Sequence, residues 1–460
     1  MAINTNAPRD TWGSKAAFIL AAAGSAVGLG NIWGFPTTAA ANGGGAFLLI
    51  YLICVGLIGA PVMLAELTIG RHTQRNPVGA FRALAPDSFW LVVGALGVLA
   101  GVVILSFYSV IAGWTIAYVW KSATGAFPPG ADTATIFAGV AANPLNAIGF
   151  HLLFMAITVY VVVGGVRDGI ERWTKVLMPG LMIMLLLLVV RAVTLSGAGA
   201  GLDFYLRPDF SQLTAGVILA AAGQAFFSLS LGMGAMITYG SYISKKDDLV
   251  TSALWVTGLD TMIAVLAGLL IFPTLFHAGL DGGTGGPGMV FVVLTSLLST
   301  IPPAPIGGII FGTMFFLLLF VAALTSSISL LEVGTAYFVD EKRMPRKNAA
   351  IGLGVVAFVL GIPSALANGA VSWLTSLPGI GMDFLSFLFV VFGQYALVIG
   401  ALLISVFTAW VWGVKAAGDE VRVSDGTFKL EKTWIFLIRF VCPIAILAIL
   451  IHLAWSLITG

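Results

Sequence analysis

Apolar residues follow one another along this chain in long runs, and short polar segments separate each run from the next. An α-helix needs about 20 apolar residues to cross the roughly 30 Å of hydrocarbon in a bilayer. The pattern predicts an all-α polytopic membrane protein with eleven transmembrane helices. We place them near residues 15–41, 45–70, 89–120, 147–165, 174–196, 211–240, 249–277, 306–338, 348–366, 382–414 and 433–458.

The composition favours the same class. Hydrophobic residues make up 59% of the 460 residues and charged residues only 9%, whereas soluble domains carry about 25% charged residues. The first twelve residues are polar and no cleavage site follows them, so we expect the first span to remain as an anchor. The expected partner of so apolar a chain is a lipid bilayer.

The basic residues predict the orientation of the spans. If the N-terminus is cytoplasmic, 19 of the 22 Lys and Arg residues fall in cytoplasmic segments, which is where such residues are enriched. Because they serve as topology signals and form no basic patch, no nucleic acid is expected as a partner. The short loops fit a multi-pass protein of a bacterial inner membrane.

Two of the predicted helices contain dense glycine clusters, "GSAVGLGNIWGFP" at residues 24–36 in span one and "SLSLGMGAM" at residues 228–236 in span six. Glycine and proline weaken a helix, and a backbone group without a partner is costly in lipid. A single cluster is more often explained by close helix packing through small residues. Two clusters in spans five apart instead predict an inverted-repeat transporter with its binding site at the breaks.

The positions of the breaks also predict how the chain is divided. Spans one to five, within residues 9–200, and spans six to ten, within residues 207–415, would form a 5+5 inverted repeat with broken helices 1 and 6. Span eleven, at residues 433–458, would be an addition to these two repeats. Together the parts would make one transporter domain over residues 1–460.

Oxygen atoms near the helix breaks predict a cation site. A hard cation such as sodium takes oxygen ligands, and carbonyls at a broken helix supply them. Asp260 is a functional candidate because a carboxylate deep in a span is costly; the alternative is a protonated or packed acid. The hydroxyl groups of span eight have a structural alternative, since they often bond the carbonyl one turn back. The candidate oxygen-bearing side chains are Asn31, Ser228, Ser230, Asp260, Thr325 and Ser326.

Four segments resemble motifs of the neurotransmitter:sodium symporter family, most closely its bacterial amino-acid transporters: "GSAVGLGNIWGFP", "NGGGAF", "GQAFFSLSLGMGAMITYGSY" and "LTSSIS". The resemblance runs from about Arg9 to span eleven, which is nearly the whole chain. It implies a leucine-transporter-type fold and Na⁺-coupled symport of an amino acid by alternating access.

The resemblance implies two sodium sites. In the first, a carboxylate oxygen of the substrate would join the protein ligands, so that each bound species raises the affinity for the other. The protein ligands of the first site would be the Ala26 carbonyl and the side chains of Asn31, Ser228 and Asp260. Those of the second would be the carbonyls of Gly24, Val27 and Ala322 and the hydroxyl groups of Thr325 and Ser326.

The resemblance also implies an amino-acid site beside the ions. Monoamine carriers of the family have an aspartate at the position of Gly28, and glycine leaves room for the carboxylate of an amino acid. The carboxylate would meet the Gly28–Gly30 amides and the Tyr108 hydroxyl, and the ammonium would face carbonyls near Ala26, Phe227 and Ser230. An apolar lining favours a hydrophobic or aromatic L-amino acid. The residues around its side chain would be Ile104, Phe227, Met233, Ser326 and Leu330.

Gate residues are implied in the same way. On the cytoplasmic side Arg9 and Asp340 match an inner salt bridge, and the residues around it would be Trp12, Ser241, Tyr242 and Glu332. On the outer side the family pairs an arginine with an acid of span ten. Asp383 matches that acid, but Gly34 stands where the arginine is expected.

Chloride is not expected as a cofactor. Tyr51, Gln224 and Ser228 match the positions of the chloride site in the family, where bacterial members commonly supply a carboxylate instead. The usual position of that carboxylate, one turn beyond Asp260, is Ala264 in this chain. Asp260 can itself supply the negative charge, so we predict transport that depends on Na⁺ alone.

Two other functions fit the sequence less well. One is a Na⁺-dependent amino-acid sensor that binds without transport, and the other is a symporter of a small zwitterion such as an ω-amino acid. An enzyme is not expected, because the four histidines are scattered and no metal-ligand spacing or nucleophile triad occurs.

Overall fold

The computed structural model describes residues 10–280, 288–424 and 427–459, with side chains as far as residue 455. Over these residues the chain is helical, and an isolated β-bridge joins Gly44 to Pro208. Arg9, the predicted partner of Asp340, lies outside the described residues.

Thirteen helices of the described part form the transmembrane segments. In chain order they are α1 (Lys15–Ala26), α2 (Gly30–Ala41), α3 (Gly45–Thr73), α4 (Leu91–Ala123), α5 (Pro144–Val163), α6 (Val166–Val193), α7 (Ala215–Ser228), α8 (Ala235–Gly240), α9 (Leu249–His277), α10 (Ile306–Lys342), α11 (Arg346–Leu366), α12 (Phe384–Val411) and α13 (Glu431–Trp455). Shorter helices in the connections are Pro77–Leu84, Thr133–Ala141, Ala198–Leu206, Met289–Ser299, Ser372–Thr375 and Val414–Arg422.

The predicted fold class is confirmed. Nine of these helices in the described part are each long and apolar enough to cross a bilayer, and α1 and α2 form a tenth span bent by 54°. The count of eleven spans stays a prediction, because it requires α7 and α8, each too short to cross a bilayer alone, to form one further broken span. The fifth span begins at Val166 instead of near residue 174, since the polar segment before it is already helical.

Both predicted breaks are present. Helix α1 ends at Ala26, the next residue Val27 has an extended backbone with φ −69° and ψ 111°, and the helix resumes as α2 at Gly30. Between α7 and α8 the chain takes positive φ values at Ser230 (54°), Gly232 (85°) and Gly234 (77°). A right-handed helix cannot continue through such residues, so both spans expose backbone groups inside the bundle.

Helices α3 and α12 hold the segment between α7 and α8 in place. The buried Glu66 carboxylate accepts a hydrogen bond of 2.7 Å from the backbone N–H of Gly232. A Cβ atom on Gly232 would lie only 2.0 Å from the carbonyl oxygen of Leu397. Glycine is therefore required at this position, both for its positive φ and for the close approach of α12.

Candidate functional site

The two breaks face each other in the centre of the bundle. The Ser230 hydroxyl donates a hydrogen bond of 3.1 Å to the carbonyl of Ser25 at the end of α1. The Gln224 side-chain amide of α7 donates one of 3.2 Å to the carbonyl of Gly30 at the start of α2. These two hydrogen bonds join the broken spans across the centre of the bundle and engage buried backbone carbonyls.

Three of the residues predicted for the first sodium site form one hydrogen-bonded cluster. The Asn31 amide donates to Asp260 Oδ1 at 2.7 Å and to Ser228 Oγ at 2.9 Å, and Ser228 donates to Asp260 Oδ2 at 2.8 Å. Asn31 and Asp260 are fully buried and Ser228 nearly so. The cluster brings carboxylate and hydroxyl oxygens together, which a hard cation prefers, and the side-chain oxygen of Asn31 accepts a hydrogen bond from the Gly28 N–H.

The residues predicted for the second sodium site also lie together, where α1 passes α10. The Ser326 hydroxyl donates a hydrogen bond of 3.0 Å to the Val27 carbonyl, and the Thr325 hydroxyl donates one of 3.0 Å to the Ala322 carbonyl. A Cβ atom on Gly24 would lie 3.2 Å from Thr325 Cβ. Carbonyl and hydroxyl oxygens of α1 and α10 thus face one another at the break in span one.

A cavity of about 40 Å³ lies between the two clusters and contacts both broken spans. All ten residues predicted around the substrate line it: Ala26, Gly28, Gly30, Ile104, Tyr108, Phe227, Ser230, Met233, Ser326 and Leu330. Sequence reasoning missed three lining residues, Ser25, Ser329 and Leu397. Ser25 lies inside the glycine-rich motif of span one, so the sequence does contain a signal for it. Leu397 lies in an apolar run that contains no motif.

The backbone of the break in span one closes tightly on its neighbours. The Leu29 N–H donates a hydrogen bond of 3.0 Å to the Tyr108 hydroxyl oxygen. A Cβ atom on Gly28 would lie 2.6 Å from Ser326 Oγ and 2.8 Å from Tyr108 Oη. A side chain does not fit at Gly28 unless these neighbours shift.

A second cavity, of about 240 Å³, lies beyond Phe227 and shares Gly30, Ile104 and Tyr108 with the central one. The Phe227 ring lines both cavities and packs edge-on against Phe389 of the second one, with their centroids 5.6 Å apart. Sequence reasoning missed Phe389, which lies in an apolar run of α12.

At the predicted outer gate, Asp383 caps a helix and Gly34 supplies no charge, so these two positions form no ion pair. Asp383 accepts hydrogen bonds from the backbone N–H (2.9 Å) and the hydroxyl (2.6 Å) of Ser386, and so caps the N-terminus of α12. A Cβ atom on Gly34 would meet no atom closer than the Leu29 carbonyl oxygen at 4.0 Å. Position 34 thus borders open space.

The predicted cytoplasmic gate residues pack below the central cavity. Trp12 donates from its indole nitrogen to the Tyr239 carbonyl at 3.0 Å, and the Tyr242 hydroxyl donates to Glu332 at 2.7 Å. Ser241 lies next to Tyr242 and donates its hydroxyl to the Thr238 carbonyl at 2.6 Å.

Two acids of α10 have partners that sequence reasoning did not predict. Asp340 accepts hydrogen bonds from the backbone and side chain of Asn76 at 2.9 and 3.2 Å. The fully buried Glu332 forms an ion pair with Arg346, whose Nη1 lies 3.1 Å from Oε1. Arg346 was counted only as a topology signal, and a basic residue at a span boundary gives no further sign of such a pair.

Comparison with known proteins gives consistent matches over nearly the whole chain. The sequence model of the sodium:neurotransmitter symporter family matches residues 9–135 and 141–458. YhdH, an uncharacterised sodium-dependent transporter of Bacillus subtilis strain 168, is 38% identical over 449 residues, which cover 96% of this chain and 97% of YhdH. A sodium-dependent serotonin transporter of Drosophila melanogaster is 29% identical over 497 residues, which cover 97% of this chain and 76% of that protein.

A solved structure agrees with these sequence matches. The crystal structure of MhsT in complex with L-phenylalanine superposes with a TM-score of 0.88 at 46% sequence identity. The superposition covers 97% of this chain and 100% of the MhsT chain.

Proposed function

Because this chain belongs to the sodium:neurotransmitter symporter family, whose members are sodium-dependent membrane transporters and not enzymes, we propose that it takes up a hydrophobic or aromatic L-amino acid. Uptake is coupled to Na⁺ at two sites and proceeds by alternating access without chloride. The transporter lies in a bacterial inner membrane with its N-terminus in the cytoplasm. The proposed substrate class rests on the lack of space for a side chain at Gly28.

The surroundings of Gly28 favour a substrate with its own carboxylate. A Cβ atom there would lie within 2.8 Å of both Ser326 Oγ and Tyr108 Oη, so the position has no room for an acidic side chain that would pair with a simple amine. The substrate carboxylate then binds beside Tyr108 and the Gly28–Gly30 amides. The N-terminal end of α2 favours such an anion.

The remaining walls of the central cavity favour an apolar side chain. Ile104, Met233 and Leu330 line it and are all buried, and the unbranched Met233 side chain adapts to ligands of different shape. MhsT, at 46% identity, is described in complex with L-phenylalanine. That ligand supports an aromatic amino acid as the first substrate to test.

Coupling follows from the position of the Asp260 cluster. Asn31 belongs to both the cluster and the broken span whose amides bind the carboxylate, and its side chain accepts a hydrogen bond of 3.0 Å from the Gly28 N–H. A sodium ion beside Asp260 attracts the substrate carboxylate, and the carboxylate in turn raises the affinity for the ion. The sodium ion and the amino acid are therefore bound and released together.

Three contacts support independence from chloride. Of the residues at the family's chloride positions, Gln224 donates its amide to the Gly30 carbonyl at 3.2 Å. Tyr51 donates to Ser228 at 3.3 Å, and Ser228 donates to the Asp260 carboxylate. The donors that an anion needs are engaged, and Asp260 supplies a negative charge at the same place.

Uptake into proteoliposomes tests the proposal. We expect radiolabelled L-phenylalanine to accumulate under an inward Na⁺ gradient, to stop when K⁺ replaces Na⁺, and to continue when gluconate replaces chloride. Collapse in gluconate would contradict chloride independence. Na⁺-dependent binding without accumulation would identify a sensor instead of a transporter. If an ω-amino acid competes with L-phenylalanine more strongly than L-leucine does, the proposed substrate class is wrong.

A further inference from the structure

A groove of about 410 Å³ lies on the outside of the bundle, where α5 ends and α6 begins. It has no connection with the residues proposed to bind Na⁺ or amino acid. Its walls are Tyr160 and Val163 of α5 and Arg172, Trp173 and Val176 of α6. Tyr160 is 71% exposed and Val176 is 70% exposed, so the groove opens toward the surroundings of the bundle.

The floor of the groove is fixed by backbone contacts. Gly164 and Gly169 both line it, and a Cβ atom on Gly169 would lie 2.1 Å from the Val161 carbonyl oxygen. The turn between the two helices therefore closes tightly only with glycine at this position. The shape of the groove is consequently fixed by the packing of the two helices and does not depend on the conformation of a flexible loop.

Aromatic residues place the groove at the boundary of the bilayer. The rings of Tyr160 and Trp173 pack edge-on with centroids 6.4 Å apart. Tyr and Trp are enriched at the level of lipid headgroups, where one end of the side chain is apolar and the other is wet. The basic residues at this end of the hairpin, Arg167, Arg172 and Lys175, agree with a position at the membrane surface.

Two opposite charges remain available in the groove. Asp168 and Arg172 are exposed and one helical turn apart, so they lie on the same side of α6. Among the described residues, neither forms an ion pair or side-chain hydrogen bond, whereas Lys175 pairs with Glu171 and Arg167 bonds Thr11. A ligand that carries both a negative and a positive group matches this arrangement.

From this charge complementarity we propose that the groove binds the headgroup of a phosphatidylethanolamine. The phosphate pairs with the Arg172 guanidinium, which suits phosphate oxygens. The primary ammonium donates hydrogen bonds to the Asp168 carboxylate. The first part of an acyl chain lies against Val163, Trp173 and Val176. A choline headgroup has the same charges but no N–H donor, and a glycerol headgroup has no positive charge for Asp168.

Native mass spectrometry of the full-length protein tests the site by titration with three lipids of equal chain length. We expect phosphatidylethanolamine to bind about tenfold more tightly than phosphatidylcholine, the effect of one hydrogen bond to a charged group. Asp168→Asn should abolish this preference, and Arg172→Gln should weaken both lipids. Lys415→Gln, which changes an exposed basic residue of another connection, should alter neither.

Several outcomes would overturn the proposal. Equal binding of the ethanolamine and choline lipids by the wild type would remove the role of Asp168. Tighter binding of phosphatidylglycerol would identify a site for anionic lipid. Unchanged lipid binding in both variants would place the lipid elsewhere. Because both side chains are exposed, unfolding temperatures equal to the wild type should confirm that the variants fold. Transport plays no part in this test, so its result is independent of the proposed substrate.

Discussion

Asn31 and Asp260 are joined by a hydrogen bond of 2.7 Å, from the amide of the first broken span to the carboxylate of α9. Ser228, at the end of α7, donates to the second carboxylate oxygen at 2.8 Å. One carboxylate thus links both broken spans to an unbroken helix. A ligand that binds at this carboxylate therefore acts on the relative positions of all three.

Removing this charge should weaken Na⁺ binding. Hydrogen bonds and ion contacts to a charged group contribute about 1.5–3 kcal/mol each. We expect Asp260→Asn to raise the Na⁺ concentration for half-maximal substrate binding by about 100-fold and Ser228→Ala by about tenfold. Binding of radiolabelled L-phenylalanine across a Na⁺ titration measures both.

The control for this prediction is Ser405→Ala, which removes a buried hydroxyl of α12 outside the cluster. It should leave the Na⁺ titration unchanged. If Asp260→Asn also keeps the wild-type titration, the first sodium site does not include this carboxylate.

Two glycines of the same motif should respond differently to a methyl group. At Gly28 an added Cβ lies 2.6 Å from Ser326 Oγ, whereas at Gly34 its nearest neighbour is 4.0 Å away. Such overpacking costs about 1–3 kcal/mol, so Gly28→Ala should weaken L-phenylalanine binding by about ten- to 100-fold. Gly34→Ala should bind within about twofold of the wild type.

Equilibrium binding at saturating Na⁺ measures the two variants side by side. Equal losses at the two glycines would mean that general helix stiffening, and not the space beside the substrate, determines the effect.

The site residues that were predicted from sequence lie in local sequence motifs, whereas most of those that were missed are defined by contacts between distant helices. All ten substrate-site residues line one cavity, and eight of them lie in the motifs around the two breaks and in span eight, where glycine and hydroxyl patterns are dense. Phe389 and Arg346 act through contacts with helices distant in the sequence, and an apolar or basic run does not specify such contacts. Asp383 has a local signal, since Asp is a preferred helix N-cap residue and an apolar run begins directly after it.

The Glu332–Arg346 pair should be important for the stability of the cytoplasmic half. Glu332 is fully buried and also accepts a hydrogen bond from the Tyr242 hydroxyl. Leaving a buried carboxylate without its ionic partner costs about 3–5 kcal/mol. Arg346→Gln should therefore lower the unfolding temperature in detergent, and Arg346→Gln with Glu332→Gln should recover part of the loss because no charge is left buried.

Lys347→Gln provides the matched control, since Lys347 is the exposed neighbour of Arg346. It should leave the unfolding temperature within the error of the measurement. A loss for Arg346→Gln no larger than that for Lys347→Gln would show that the pair contributes little.

A cluster around Glu420 should make stability depend on pH. Its carboxylate lies 2.8 Å from Lys245 Nζ, 2.9 Å from His72 Nδ1 and 2.8 Å from Arg71 Nε. Burial by itself raises the pKa of Glu420, but the hydrogen bonds from Lys245 and His72 and the charge of Arg71 together bring the pKa below its ordinary value of 4.5. Glu420 therefore stabilises the folded state in its ionised form.

The sign of the pH effect follows from the lowered pKa. A carboxylate of this kind contributes its full stabilisation above its ordinary pKa and loses it as the pH falls through the folded-state value. The unfolding temperature of Glu420→Gln should lie below that of the wild type by a constant amount at neutral pH, and the gap should close below about pH 4.5. Asp168→Asn, which changes an exposed acid that forms no ion pair among the described residues, should show no such closing gap. A difference between Glu420→Gln and the wild type that persists unchanged into acid would mean that packing, and not the charge of Glu420, stabilises this cluster.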